Sequence, residues 1–321
     1  MFAVYAARVD RDDPLSALEL GDQPERAPPE GWTTVSVRAA SLNRHDLWSL
    51  RGVGLSADRL PMILGCDAAG TDEHGNDVIV HSVITDPDWR DDETLDPART
   101  ILSELHPGTF AERVAVPARN LVPKPAELSF EEAACLPTAW LTAFRMLFTK
   151  ASLAPGATVL VQGAGGGVST ALVRLGSAAG FRMWVTSRSP ERRAEALRLG
   201  ADEAYELDAR LPGRVDAVME TVGGATWGHS VRSLKSGGTL VVAGATTGDA
   251  SPAGLAHIYF RQLSVVGATM GTVDELRRLV RFCVSDGIRP LIHDALPLQE
   301  ARRGFEALNA ESVVGKIVLT V

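Results

Sequence analysis

Only three cysteines occur in 321 residues, and Cys66, Cys135 and Cys283 are scattered and odd in number. That excludes a disulfide framework and points to reduced thiols in a cytoplasmic protein. Positive charge is also short. Thirty-two Lys and Arg against 40 Asp and Glu leave a net charge of −8, which argues against broad binding to nucleic acid or anionic membranes. No apolar run reaches the roughly 18 residues of a membrane span. The opening MFAVYAARVDRDD has neither the basic start nor the long apolar core of a signal peptide, so the expected location is the cytoplasm. No internal repeat or low-complexity tract is visible. With 45% hydrophobic and 22% charged residues, the chain reads as globular and long enough for two substantial cores.

What is present concentrates in residues 158–189. Val159, Leu160 and Val161 form a short apolar run, as a buried parallel strand requires. Gly163, Gly165, Gly166, Gly167 and Val168 follow, and Ser169 then opens a stretch of helix formers that stops at Gly180. A second apolar strand covers residues 181–186. Strand, glycine turn, helix and strand within about thirty residues is the size of a βαβ unit. Glycines let a backbone approach a pyrophosphate, and a helix N-terminus offers it free N–H groups. The turn departs from G-x-G-x-x-G because position 168 is Val. It fits better as G-x-x-G-x-x-S over Gly163, Gly166 and Ser169.

The end of the second strand selects the dinucleotide. NAD-selective sites place Asp or Glu there for the ribose 2′-hydroxyl. This chain has Ser187, Arg188 and Ser189, with Arg192 following. Two hydroxyls and guanidinium groups suit a 2′-phosphate, so the expected cofactor is NADP(H).

Composition changes character near residue 120. Before it, short β-like runs (34–39, 77–83, 110–116) alternate with loops, and the acidic segment 86–106 reads as an exposed excursion. From 121 to 287, βα units are expected, with strands at 158–162, 181–186, 204–207, 215–221, 239–243 and 263–266. Residues 274–284 read as an amphipathic helix. The tail reads as a strand, a helix (298–309) and a final strand (316–321).

Several spaced motifs now carry a resemblance over nearly the whole chain: SLNRHDLW, LGCDAAG, GTFAERVAVP, LPTAWLTAF, the glycine turn, LRLGAD, SGGTLVVAG, RQLSVVG and GKIVL. The chain resembles the medium-chain dehydrogenase/reductase superfamily, in its zinc-free NADPH:quinone oxidoreductase branch. The resemblance implies an α/β protein with a β-rich GroES-like catalytic domain (1–121), a Rossmann doubly wound parallel sheet for NADP(H) (122–287) and a C-terminal return to the catalytic domain (288–321). It also implies an active site in the cleft between them. Asn43 and Asp46, from N-x-x-D, and Thr142 would line the nicotinamide. Trp48 stands where a Tyr is common, and an indole N–H is no useful acid. Thr138, Val222, Ala245 and Lys316 join the implied cofactor contacts. Gly244 and Gly267 follow strands and serve either as cofactor contacts or as tight turns.

Zinc-dependent members hold their metal at positions that align with Asn43, with Cys66 and Asp67, and with Thr138. Asn and Thr are poor zinc ligands, and the four clustered cysteines of the structural zinc lobe are missing. His45, Cys66 and Asp67 make no established metal spacing, and Cys66 reads as a small buried hydrophobe. With no such metal expected, the acceptor should already be electrophilic. A quinone ranks first, a conjugated enoyl or enal C=C bond second, and a crystallin-like NADPH-binding protein with little turnover is the reading from another class. His229, His257 and His293 read as structural or exposed, and Trp140 and Phe144 as core or pocket wall. The apolar strand 263–266 at a sheet edge suggests a homodimer.

Overall fold

A computed structural model describes residues 1–25, 27–249 and 254–321. The chain divides into two compact units, residues 1–139 with 270–321 and residues 140–269.

The first unit is organised by strand Trp32–Ser41. Its residues alternate between faces along the first half, with Val35 and Val37 buried and Ser36 and Arg38 exposed, as a half-buried strand requires. One edge pairs antiparallel with Asp67–Asp72. The other takes Arg113–Pro117 near its start and Lys316–Thr320 near its end. The C-terminal strand is therefore integral to the sheet, and Ile292–Pro297 extends it in parallel beyond. The core beneath joins Val35, Val37, Leu50, Leu64 and Leu319 with Phe110 and Phe305. The two phenyl rings meet edge to face with centroids 6.1 Å apart.

The second unit is a six-stranded, all-parallel sheet. Its spatial order is Glu203–Tyr205, Arg182–Thr186, Thr158–Gln162, Val215–Glu220, Leu234–Val242, Ser264–Gly267. Numbered along the chain, that order is 3-2-1-4-5-6, the doubly wound Rossmann arrangement. The apolar run at 159–161 lies fully buried in its middle.

Several expected elements shift, each for a local reason. The strand at 110–116 forms only over Arg113–Pro117. Phe110 instead exchanges backbone hydrogen bonds with Leu64 and Val4, and Ala111 bridges to Ala3. The helix expected from Ser169 begins at Gly167, because Ser169 spends its hydroxyl on the Gly166 carbonyl, 3.0 Å away, inside the first turn. The segment 86–106 is not simply exposed. Thr100–Ile101 pairs with Val83–Ile84, and Leu102 and Ser103 are fully buried. Asp96 holds the loop together through the amides of Asp86 and Ala98, and Arg119 donates to the carbonyls of Thr85, Asp86 and Pro87.

The expected boundaries at 121/122 and 287/288 differ from the divisions at 139/140 and 269/270. Residues 270–289 are tied to the first unit by His81 Nε2, 2.8 Å from the Gly271 carbonyl. Arg289, which donates to the Glu127 carbonyl, ties them as well.

Gly70 lies against the central strand Trp32–Ser41. A Cβ there would lie 2.1 Å from the Ser36 carbonyl oxygen, a backbone atom that cannot move aside. Gly70→Ala should lower stability by about 1–3 kcal/mol or more, read as a fall in the urea midpoint. An unchanged midpoint would show that the strands part freely.

Candidate active site and dinucleotide cradle

Strand register builds the polar centre of the first unit. Ser41 ends the central strand, and Asp67 lies opposite it at the start of the next. Lys316 opens the C-terminal strand on the other side, and its amine reaches back past Leu42 to Asn43. Asn43 caps helix Arg44–Leu50, and its backbone N–H donates to Asp46 Oδ2 at 2.7 Å. That bond leaves the Asn43 amide group for other partners. Its Nδ2 donates to Asp67 Oδ2 at 2.8 Å, and Ser41 Oγ donates to the same oxygen at 2.8 Å. Lys316 Nζ donates to Asn43 Oδ1 at 2.6 Å, to the Leu42 carbonyl at 2.7 Å and to Asp67 Oδ2 at 3.4 Å. All three ammonium hydrogens have acceptors, and Lys316 and Asp67 are both buried. Lys316, expected as a cofactor contact, here fixes Asn43 and Asp67 relative to one another.

These residues do not fit a zinc ion. At the positions aligned with metal ligands, Asn43 and Asp67 already share an ammonium, whose charge would repel a divalent cation. Cys66 Sγ donates to the Leu102 carbonyl at 3.3 Å, and burial pushes its thiol well above the ordinary range, so a thiolate ligand is disfavoured. Thr138 offers only a neutral hydroxyl. No cluster of three or more His, Cys, Asp or Glu able to hold a metal occurs among the described residues.

Burial raises the Asp46 carboxyl to about 7, with nearby Asp67 adding to the effect and the Asn43 N–H opposing it. Trp48 is half-buried on the same helix, and the Arg51 guanidinium lies 5.2 Å from its ring centroid.

The second unit holds the other expected residues. Gly163 and Gly165 have φ of 80° and 93°, which side chains other than glycine rarely adopt. No side chain caps helix Gly167–Ala178, so its first-turn amides remain for an anionic ligand. Val222 flanks the turn, 3.1 Å from where a Gly163 Cβ would stand, and the Arg192 side chain crosses it, 3.0 Å from a Gly165 Cβ. These residues fit a dinucleotide diphosphate: backbone donors and no intruding Cβ, with Arg192 at the edge of the turn. At the strand end, Ser187 is buried and Arg188 exposed. Ser187 Oγ accepts the Ser189 N–H at 3.3 Å, and Arg193 donates to the Ser187 carbonyl. The nearest acid in sequence, Glu191, is occupied by the Ser189 hydroxyl. Gly244 and Ala245 lie in the loop after Leu234–Val242, packed on Thr221 and Gly223. Gly267 ends the edge strand, two strands beyond Val215–Glu220. Thr142 is buried on helix Leu141–Arg145, with Trp140 and Phe144 in the core.

Sequence reasoning missed Glu220. Its fully buried carboxylate accepts the N–H groups of Val222 and Gly223 and the hydroxyls of Thr226 and Ser230. It thereby shapes the turn that presses Val222 against Gly163. An acid ending the apolar run VDAVME just before T-V-G-G was the available signal. His229, read as structural, is buried between Gln162 Nε2 at 2.8 Å and the Ala209 carbonyl at 3.0 Å. His257 and His293 are exposed.

Known proteins share this fold. Residues 29–126 match the alcohol dehydrogenase GroES-like domain, and residues 167–285 match the zinc-binding dehydrogenase family. The crystal structure of an NAD-dependent alcohol dehydrogenase superposes with a TM-score of 0.91 at 33% identity, covering 100% of both chains. The chain belongs to the medium-chain dehydrogenase/reductase superfamily. It is an oxidoreductase of that superfamily, with a GroES-like domain and a Rossmann domain. A zinc-type alcohol dehydrogenase-like protein of Schizosaccharomyces pombe is 29% identical, with 91% of each chain covered. The acryloyl-coenzyme A reductase of Metallosphaera sedula is 27% identical over 94% of this chain and 96% of its own. None of these matches singles out the quinone branch that the motifs suggested.

Asp46 gives the site a pH signature. Its pKa is raised on folding, so the carboxyl contributes stability that is full below the ordinary 3.8 and is lost as pH rises through about 7. Asp46→Asn should therefore flatten the fall in melting temperature between pH 5 and 8. A slope identical to that of the parent protein would remove Asp46 as its source.

Proposed function

We propose that the protein is a zinc-independent, NADP(H)-dependent reductase of activated C=C bonds, with a conjugated acyl thioester as the favoured acceptor class. The observation that carries the reading is the Lys316 ammonium lodged between Asn43 and Asp67, at the positions aligned with metal ligands. A site built this way lacks the means to lower an alcohol's pKa and stabilise its alkoxide, so it favours an acceptor that is electrophilic before it binds. Sequence alone ranks a quinone first. The 27% identity to an acryloyl-coenzyme A reductase over nearly all of both chains moves the conjugated thioester ahead of it.

The bound cofactor supplies the hydride when reduced. The chain's own part is placement. The 163–168 turn and the first amides of helix Gly167–Ala178 hold the diphosphate. Ser187, Arg188 and Arg192 hold the 2′-phosphate, with no carboxylate at the strand end to repel it. Asn43, Asp46, Trp48 and Thr142 are the residues that the resemblance assigns to the nicotinamide and acceptor.

In an acceptor panel, crotonyl-CoA or acryloyl-CoA with NADPH should exceed small quinones in kcat/KM, and ethanol or benzyl alcohol with NADP⁺ should lag far behind. Turnover of quinones alone would restore the quinone reading. Tight NADPH binding with no turnover would favour a binding protein. Arg192→Ala should cost ten- to a hundredfold in kcat/KM for NADPH and little for NADH, as loss of a charge-assisted hydrogen bond of about 1.5–3 kcal/mol implies. Equal losses with both cofactors would place Arg192 on the diphosphate instead.

We also propose a homodimer through the edge of the parallel sheet. Val265 on the edge strand is 43% exposed, and Tyr259 and Phe260 in the same unit are 63% and 76% exposed. An edge strand with no second neighbour among the described residues, in a unit with exposed aromatics, invites a two-fold partner. Light scattering should give about twice 34.2 kDa. A monomer mass at micromolar concentration would contradict this.

A further inference from the structure

Reduction of a C=C bond consumes a proton as well as a hydride, and Asn43, Asp46 and Trp48 do not offer one. The Asn43 amide is committed to Asp67, the Asp46 carboxyl is fully buried against Asn43, and the Trp48 indole is no acid. His45 is placed differently. It lies in the first turn of helix Arg44–Leu50, between Asn43 and Asp46, with its side chain 22% exposed. Its Nε2 stands 3.5 Å from Ser49 Oγ, 3.5 Å from Ser103 Oγ and 3.9 Å from Glu104 Oε1. Each of these residues is itself anchored. Ser49 Oγ donates to the His45 carbonyl, and Glu104 Oε2 accepts the Ile101 N–H. Ser103 is held at a φ of 72°, with its N–H on the His106 carbonyl. Nδ1 makes no hydrogen bond to the described residues. One ring nitrogen thus faces an acid and two hydroxyls while the other is unclaimed, the layout of an oriented acid–base histidine. Ser103 and Glu104 come from the 86–106 excursion.

We propose that His45 is the proton donor of this reductase, oriented by Glu104, Ser49 and Ser103. The assignment rests on the C=C reading above. Hydride adds to Cβ of the thioester, and the π electron pair moves toward the thioester oxygen. The Nδ1–H bond of the imidazolium breaks as a C–H bond forms at Cα. The reduced nicotinamide is oxidised, the alkene is reduced, and the imidazole regains its proton from solvent.

The test is reduction of crotonyl-CoA by NADPH in D₂O. The wild type should place one deuterium at Cα in a single configuration. His45→Phe and His45→Gln, checked by thermal melt and by NADPH affinity, should lose about 10²–10⁴ in kcat and scatter the deuterium over both faces. Added imidazole should partly restore His45→Ala. In cofactor-free protein, crotonyl-CoA should shift the His45 ring ¹⁵N signals. A folded His45→Phe that keeps kcat within threefold and a single configuration overturns the proton-donor assignment alone, as do unshifted ring signals. A wild type that reduces no conjugated thioester overturns the C=C reading and this assignment together.

Discussion

A buried ammonium organises the first unit. Lys316 is 3% exposed, and its charge is met by Asp67, Asn43 and a backbone carbonyl. An unpaired charge at that depth would be strongly destabilising, so each partner must be in place together. That requirement reaches across the chain. Asp67 comes from one neighbour of the central strand, Lys316 from the other, and Asn43 from the helix that follows it. The long return from residue 270 to the C-terminus therefore carries a functional residue as well as a closing strand.

The same arrangement sets the chemistry. A fixed organic cation with all its hydrogens engaged cannot act as a metal does, because it presents no open coordination position to an oxygen. It can only hold Asn43 rigid. On the reading proposed above, rate comes from positioning and from an acceptor that is already activated, and the proton from beside the cluster. The second unit complements this with backbone recognition. Beside its glycine turn, Glu220 faces inward to four donors and holds Val222 against Gly163.

Much of this was legible in the sequence, for identifiable reasons. The apolar run at 159–161, the glycines after it and the hydroxyl-rich strand end state their roles locally, and the structure puts them at the centre of a parallel sheet. Asn43 and Asp46 are three apart at a helix start, a spacing that specifies a cap. Lys316 was placed in the site by resemblance, but its direction depends on strand pairing between residues almost 280 apart, which no local pattern encodes. Ser103 and Glu104 were hidden for a related reason. An acidic, polar segment reads as solvated, yet Asp96 and Arg119 fold it back so that residues 102 and 103 are buried. His45 looked like a candidate ligand without partners because its partners lie in that segment.

The central claim is reduction of an activated C=C bond without a metal. The most direct measurement is NADPH-dependent reduction of crotonyl-CoA by protein dialysed against a strong chelator, with metal content determined on the same sample. The account predicts full activity at far below one zinc per chain. Activity that disappears with the metal and returns on adding about one equivalent of zinc would contradict it.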